Sequence, residues 1–269
     1  MNREELRKIR PLRGGGVASL ILAGDRSGDL FVIRELNREL RLSWRLRRGF
    51  VHGMRIRQAL SPHEHILESR GMSVHRLAPY EILDYVSGGS LQDLISQRHA
   101  EVQGHHLDIL RQVSSALAHM HARGIAHLDV KAENILVHAD SKAHEVHVKL
   151  TDFDLSRHLH GGWRRMRSGT ASYMAPEQLT SGRVGFGNDI FAFGVLAYYL
   201  VAGRMPFAGF TLDEARYRQA DIRHVAMAPR KLCPGLSIRL DEIITACLEK
   251  DPDRRFPNMG YLDQELRRI

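Results

Sequence analysis

Three side chains able to share one reaction lie within residues 127–136, which read HLDVKAENIL: Asp129, Lys131 and Asn134. A carboxylate such as Asp129 can orient a hydroxyl and accept its proton. An ammonium such as Lys131 can offset the charge of a phosphoryl group in transfer. An amide oxygen such as that of Asn134 suits a hard cation. Eighteen residues after Asn134 comes Asp152, within Thr151-Asp152-Phe153-Asp154, a second source of carboxylates. A Gly-rich stretch, LRGGGVASLILA from residue 12, allows close backbone approach to a ligand.

The elements that must position these residues change character along the chain. Residues 12–36 read as a Gly-rich turn running into an apolar strand, then the turn GDRSGD and a second strand, LFVIREL. Residues 37–58 are Arg-rich, with Leu36, Leu40 and Trp44 at helical spacing. Residues 65–86 hold two further strand candidates, SGGS breaks the chain, and LQDLISQRH starts a helix. From residue 105 onward the periodicity is helical: residues 107–124, stopped by Gly124, then 188–202, 239–249 and 257–267. A strand-rich first third before a helix-rich remainder predicts an α+β arrangement of two lobes with a hinge at 84–90.

Bulk composition bounds the function. The chain has 269 residues, 43% hydrophobic and 26% charged, ordinary for a globular protein. A net charge of +8 favours acidic partners such as nucleotide phosphates, without choosing among them, and a dedicated nucleic-acid role is not expected. Two cysteines, Cys233 and Cys247, make neither a disulfide framework nor a zinc site, and both are expected to be reduced and buried. The N-terminal MNREELRKIR is charged from residue 3, unlike a signal peptide. The apolar run at 190–202 is shorter than the ~20 residues of a membrane span and reads as a core helix. A cytoplasmic site of action with no transmembrane segment is expected.

The motifs and their order resemble the eukaryotic-type (Hanks-type) serine/threonine protein kinase family, from about Leu12 to Leu266. HLDVKAENIL resembles HRDLKPEN, and TDFD resembles the metal-binding DFG. GTASYMAPE at 169–177, NDIFAFGV at 188–195 and DPDRRFP at 251–257 resemble the activation-segment end, the D-x-W-S-F-G helix and the segment whose arginine pairs with the APE glutamate. The APEQL and RRFP wording looks like bacterial members. The resemblance implies a bilobal protein kinase fold, with residues 1–86 as a small β-rich N-lobe and 87–269 as a larger helical C-lobe carrying the catalytic loop, metal loop and activation segment.

It implies ATP and Mg2+ as cofactors and a protein substrate with a Ser or Thr acceptor. Asp129 is the expected catalytic base, Lys131 the cation on the γ-phosphate, and Thr170 the residue that bonds both. Asn134 and Asp152 are the expected metal ligands. In the linker YEILDYVSGGSL, the Asp84 carbonyl and Val86 amide are expected to bond adenine below a gatekeeper Leu83, with Ser90 at the ribose. Leu20, Val32 and Leu136 are expected to sandwich the ring. Glu177, Asp189 and Arg255 are expected to be scaffold, with Arg255 pairing Glu177.

Several positions depart from the family. Phe31-Val32-Ile33-Arg34 stands where VAIK is usual, so Arg34 takes the lysine's place, a swap that is not conservative at a tight site. The usual glutamate partner aligns near Gly53, no acid occurs from Leu40 through His63, and Glu39 is too close to fold back. In the Gly-rich loop Arg13 and Ala18 replace the first and third glycines. Gly14, Gly15 and Gly16 remain to approach phosphate, and Arg13 is expected to add a cation there. Leu128 replaces the HRD arginine, which implies activity independent of activation-loop phosphorylation, with Ser156 and Ser168 as the residues to test. Asp154 replaces the DFG glycine and predicts a less mobile loop with an extra acid. The eight arginines from Arg34 to Arg57 form a solvated helix face or a docking surface for an acidic partner or membrane. The alternative from another class is a pseudokinase, a nucleotide-binding or scaffolding module, suggested by Arg34 and the missing helix glutamate.

Overall fold

The computed structural model of the chain describes residues 1–74, 78–99, 102–140, 145–159, 164–166 and 169–269. Two compact units form: Met1–Ser87 with Thr151–Asp154, and Gly88–Leu150 with Leu155–Ile269. The sequence placed the TDFD loop in the second unit. It groups with the first because Thr151 and Asp154 bond to buried arginines there.

The first unit is a five-stranded antiparallel sheet in the order β1-β2-β3-β5-β4, with β1 Arg7–Leu12, β2 Ala18–Gly24, β3 Leu30–Leu36, β4 Ser69–Ser73 and β5 Tyr80–Asp84. Strand β1 was not expected, because RKIRPL is exposed almost throughout and shows no apolar alternation. It lies at the sheet edge, where Pro11 is tolerated. Along β3 the side chains alternate between faces. Phe31 and Ile33 join Leu6, Ala23 and Ile82 in one cluster. Leu36 joins Ala18 and, from helix α1 (Trp44–Leu60), Phe50 and Met54 in another. Arg34 shares that second face and lies directly opposite Leu20 on β2 and Glu81 on β5.

Helix α1 starts later than its apolar spacing suggested. Residues 38–40 form only a short 3-10 turn, and Ser43 then caps the helix by accepting from the Leu46 amide at 3.5 Å.

The second unit carries seven helices among the described residues: α2 Leu91–Ser96, α3 His106–Ala122, α4 Pro176–Ser181, α5 Phe186–Ala202, α6 Leu212–Ala220, α7 Ile238–Cys247 and α8 Met259–Arg267. Gly124, with φ +70°, closes the turn after α3. Helix α5 is buried on nearly every side, as its apolar run requires. No helix of the described residues is long and apolar enough to cross a membrane. The short strands β6 Ile125–Ala126, β7 Ile135–Asp140, β8 Glu145–Leu150 and β9 Arg157–His158 flank the HLDVKAENIL segment. Both cysteines are free; Cys247 is buried, but Cys233 is only half-buried, its thiol near the Val201 carbonyl.

One buried acid at the start of α5 organises the HLDVKAENIL segment. Asp189 accepts the amides of His127 and Leu128, each at 2.7 Å, and His121 Nε2 at 2.9 Å. The Met259 amide donates to His121 Nδ1 at 3.2 Å, so the ring proton sits on Nε2 and points at Asp189. These bonds hold Leu128 at φ +66°, a conformation a leucine seldom adopts unaided. Asp189→Ala removes the acceptor of three buried donors. We expect a loss of ~3 kcal/mol of stability, read in thermal unfolding as a Tm drop on the order of 10 °C. A drop below about 2 °C would show that the turn is held by other contacts.

Candidate active site

In the second unit Asp129, Lys131, Asn134 and Thr170 converge. Lys131 Nζ lies 2.7 Å from Asp129 Oδ2 and donates to Thr170 Oγ1 at 2.8 Å. The Thr170 hydroxyl donates in turn to Asp129 Oδ1 at 3.2 Å, and the Thr170 amide donates to the same atom at 3.3 Å. Asn134 Nδ2 donates to the Asp129 carbonyl at 2.9 Å and to Asp129 Oδ2 at 3.0 Å. With its nitrogen so engaged, the Asn134 side-chain oxygen is the atom that remains for a cation. The Asp129 carboxylate is thus fixed on both oxygens.

The segment after it is secured separately. Arg255 grips Glu177 in a fork, with bonds of 2.8 and 2.9 Å, and so fixes α4. Gln219 on α6 donates to the carbonyls of Ala171 and Met174, on the turn after Thr170. Leu128 packs with Ala126, Val184, Leu159, Met166 and Phe186. Ser156 is fully buried and donates to the His127 carbonyl at 3.2 Å. Ser168 lies outside the described residues.

In the first unit a charged cluster surrounds Arg34, which is 8% exposed. Its Nη1 donates to Glu81 Oε1 at 3.2 Å, and its Nη2 donates to Asp154 Oδ2 at 2.6 Å and lies 3.5 Å from Asp152 Oδ1. The guanidinium stacks 4.3 Å from the centre of the Phe50 ring. Burial works against the charge on Arg34, but Asp154, then Glu81 and Asp152, outweigh it and hold its pKa above the ordinary arginine value. Burial raises the Asp154 carboxyl to about 6, against the pull of Arg34. Arg57 on α1, 1% exposed, donates to Glu81 at 3.3 and 3.4 Å, to the Leu67 carbonyl at 3.1 Å and to Thr151 Oγ1 at 3.4 Å, and stacks on Phe153. Two of the eight arginines read as a surface run are therefore internal. Glu39 is exposed. Asp152 takes φ +62°, whereas Asp154 is not among the residues with positive φ, so the aspartate there does not need a glycine's freedom.

The nucleotide-site candidates divide between the units. Leu20 and Val32 are half-buried on the Arg34 face of the sheet. Arg13, Gly14, Gly15 and Gly16 are exposed between β1 and β2. Of these glycines, only Gly14 is sterically required, since a Cβ there would sit 2.8 Å from the Ala18 carbonyl. Asp84 ends β5 with its carboxylate forked by Arg70 at 2.7 and 2.9 Å, and Val86 follows half-buried. In the second unit Leu136 is half-buried on β7 and bridged to Ser90. The Ser90 hydroxyl caps α2: it accepts from the Asp93 amide at 3.2 Å and donates to Asp93 Oδ2 at 2.6 Å.

The model of the protein kinase domain family matches residues 7–266. The chain belongs to the protein kinase domain family. Among curated relatives, Serine/threonine-protein kinase GD17699 of Drosophila simulans is 33% identical over 68% of this chain and 25% of its own length. The PknA serine/threonine-protein kinase of Corynebacterium glutamicum is 32% identical over 66% of this chain and 36% of its own. The kinase domain thus spans about a quarter to a third of the curated relatives it matches.

Residues the sequence reading missed are Glu81, Arg57 and Asp93. Glu81 lies between Tyr80 and Ile82 on β5 and Arg34 follows Phe31-Val32-Ile33 on β3, and opposite charges set within such strand segments are a signal that they meet once the strands pair. Arg57 was hidden among the arginines around it. Arg57→Leu strips the fully buried Glu81 of one of its two cations and is expected to cost ~3 kcal/mol in urea denaturation. Arg57→Leu with Glu81→Leu is expected to cost less, because Arg34 keeps Asp154. A double variant less stable than the single one would contradict this account of the cluster.

Proposed function

We propose that this kinase domain transfers the γ-phosphoryl group of ATP to serine or threonine hydroxyls of protein substrates. The carrying observation is the closed set of bonds among Asp129, Lys131, Thr170 and Asn134. It leaves one carboxylate held to receive a hydroxyl proton beside one ammonium suited to phosphate charge. In this reading the acceptor hydroxyl donates to Asp129, Lys131 meets the transferred phosphoryl oxygens, and Thr170 keeps the pair in register. Arg34 meets the nucleotide phosphates, and the backbone of Gly14, Gly15 and Gly16 approaches them, with Arg13 adding charge. Leu20, Val32 and Leu136 contact adenine, which bonds to the Asp84 carbonyl and Val86 amide. Ser90, with Asp93 beside it, faces the ribose.

We assign metal-ligand roles to Asn134 and Asp152. Both offer oxygen, as Mg2+ prefers, and the Asn134 nitrogen is already spent on Asp129. When bound, Mg2+ would supply charge neutralisation at the phosphates.

The scaffolding alternative drew its support from an Arg34 with no acid on the next helix. That ground weakens, since Arg34 bonds to Glu81 and Asp154. Independence from activation-loop phosphorylation is supported by Leu128, which makes an apolar cluster with Met166 and Leu159 where the family carries a phosphate-clamping arginine. Ser156 is too buried to serve as an acceptor.

Labelled ATP with a generic protein substrate tests the reading. Asp129→Asn is expected to lower the rate by on the order of 10²–10⁴-fold. Phosphatase-treated wild type is expected to keep its activity within about twofold. Labelling that survives Asp129→Asn would overturn the assignment of the base, and activity lost on phosphatase treatment would overturn the independence.

A further inference from the structure

Gly53 on α1 is buried with no room for a side chain: a Cβ there would lie 2.5 Å from Asp154 Oδ1, 2.9 Å from the Asp154 amide nitrogen and 3.0 Å from its Cα. One turn earlier, a Cβ on Gly49 would meet the Asp154 carbonyl at 3.9 Å. The helix therefore approaches residue 154 closely, and the volume that a side chain at 53 would fill is taken by the Asp154 carboxylate. The other oxygen of that carboxylate receives Arg34 Nη2 at 2.6 Å. One turn later, at Arg57, the helix contributes a cation rather than an acid and pairs it with Glu81. The polarity of the helix face is thus reversed. Acids come from β5 and the TDFD loop, and cations come from β3 and α1.

We propose that Asp154 is the positioning residue for Arg34, the acid that the helix lacks having moved to the metal loop. Placement of Arg34 for phosphate is then coupled to the conformation of that loop, and Gly53 is the seat that makes the coupling possible. Planarity explains the choice of arginine: one guanidinium reaches Glu81 and Asp154 from different nitrogens while its face lies on Phe50. A single ammonium has no flat face to stack.

The inference rests on the reading of Arg34 as a phosphate contact. It is tested by a double-mutant cycle on Asp154→Asn and Arg34→Ala, read as the Kd for ATP and, separately, as kcat and KM for labelling of a protein substrate. Asp154→Asn is expected to weaken ATP binding by roughly tenfold, the scale of one charge-assisted contact. In the Arg34→Ala background it is expected to weaken binding by less than about twofold, since the group it positions is gone. Effects that multiply, or an Asp154→Asn variant that binds ATP like the wild type, would overturn the proposal. Asp154→Gly, the residue the family carries there, replaces Asp154→Asn in the cycle if the latter does not fold. Gly53→Ala, which must push the loop, is expected to reproduce the loss of affinity, and wild-type affinity in that variant would also count against the proposal. A wild type that binds ATP but labels no substrate overturns the kinase reading alone, because the cycle in Kd still decides the role of Asp154.

Discussion

Arg34 carries its charge into a place almost closed to water, and a buried cation persists only where acids reach it with good geometry. Glu81 reaches it from the neighbouring strand, and Asp154 from a loop distant in sequence. Glu81 is fully buried itself and needs the second cation that Arg57 supplies. Arg57 then ties the helix to Thr151. From one charge on one strand, the positions of a second strand, a helix and the TDFD loop follow. Removing any member leaves a charge in a low-dielectric setting, which makes the cluster cooperative rather than a set of independent pairs.

The HLDVKAENIL segment of the second unit is held in a different way. Asp189 accepts three buried donors and holds the loop backbone in a turn that Leu128 seldom adopts unaided. On that fixed backbone Asp129 is restrained through both carboxylate oxygens by Thr170, Asn134 and Lys131. An apolar cluster around Leu128 takes the position where the family places a charge that answers to phosphorylation. Apolar side chains of this kind offer a phosphate no charge-assisted bond, whereas an arginine clamp does.

Part of this was legible in the sequence as local pattern: the strands β2 and β3 and the helices α3, α5, α7 and α8 follow from periodicity and turn residues. The pairing of Arg255 with Glu177 and the convergence of Lys131 and Thr170 on Asp129 join distant segments, and it was the resemblance to the protein kinase family that implied them. Strand β1 was not legible, since an exposed edge strand carries no alternation to read. Nor was the cluster around Arg34. Its members are separated by 47 and 120 residues along the chain, and only strand register and the approach of a glycine on α1 bring them together. The sequence showed an acid missing at Gly53 and an acid added at Asp154 as two separate departures. The structure joins them, because the space one vacates is the space the other fills.

The most direct test of this account is a crystal structure of the kinase domain with a non-hydrolysable ATP analogue and Mg2+. The account predicts Arg34 within hydrogen-bond distance of Asp154, Glu81 and a phosphate oxygen at once, with Gly53 still against the residue 154 backbone. An Arg34 turned away from Asp154 while another cation holds the phosphates would contradict it.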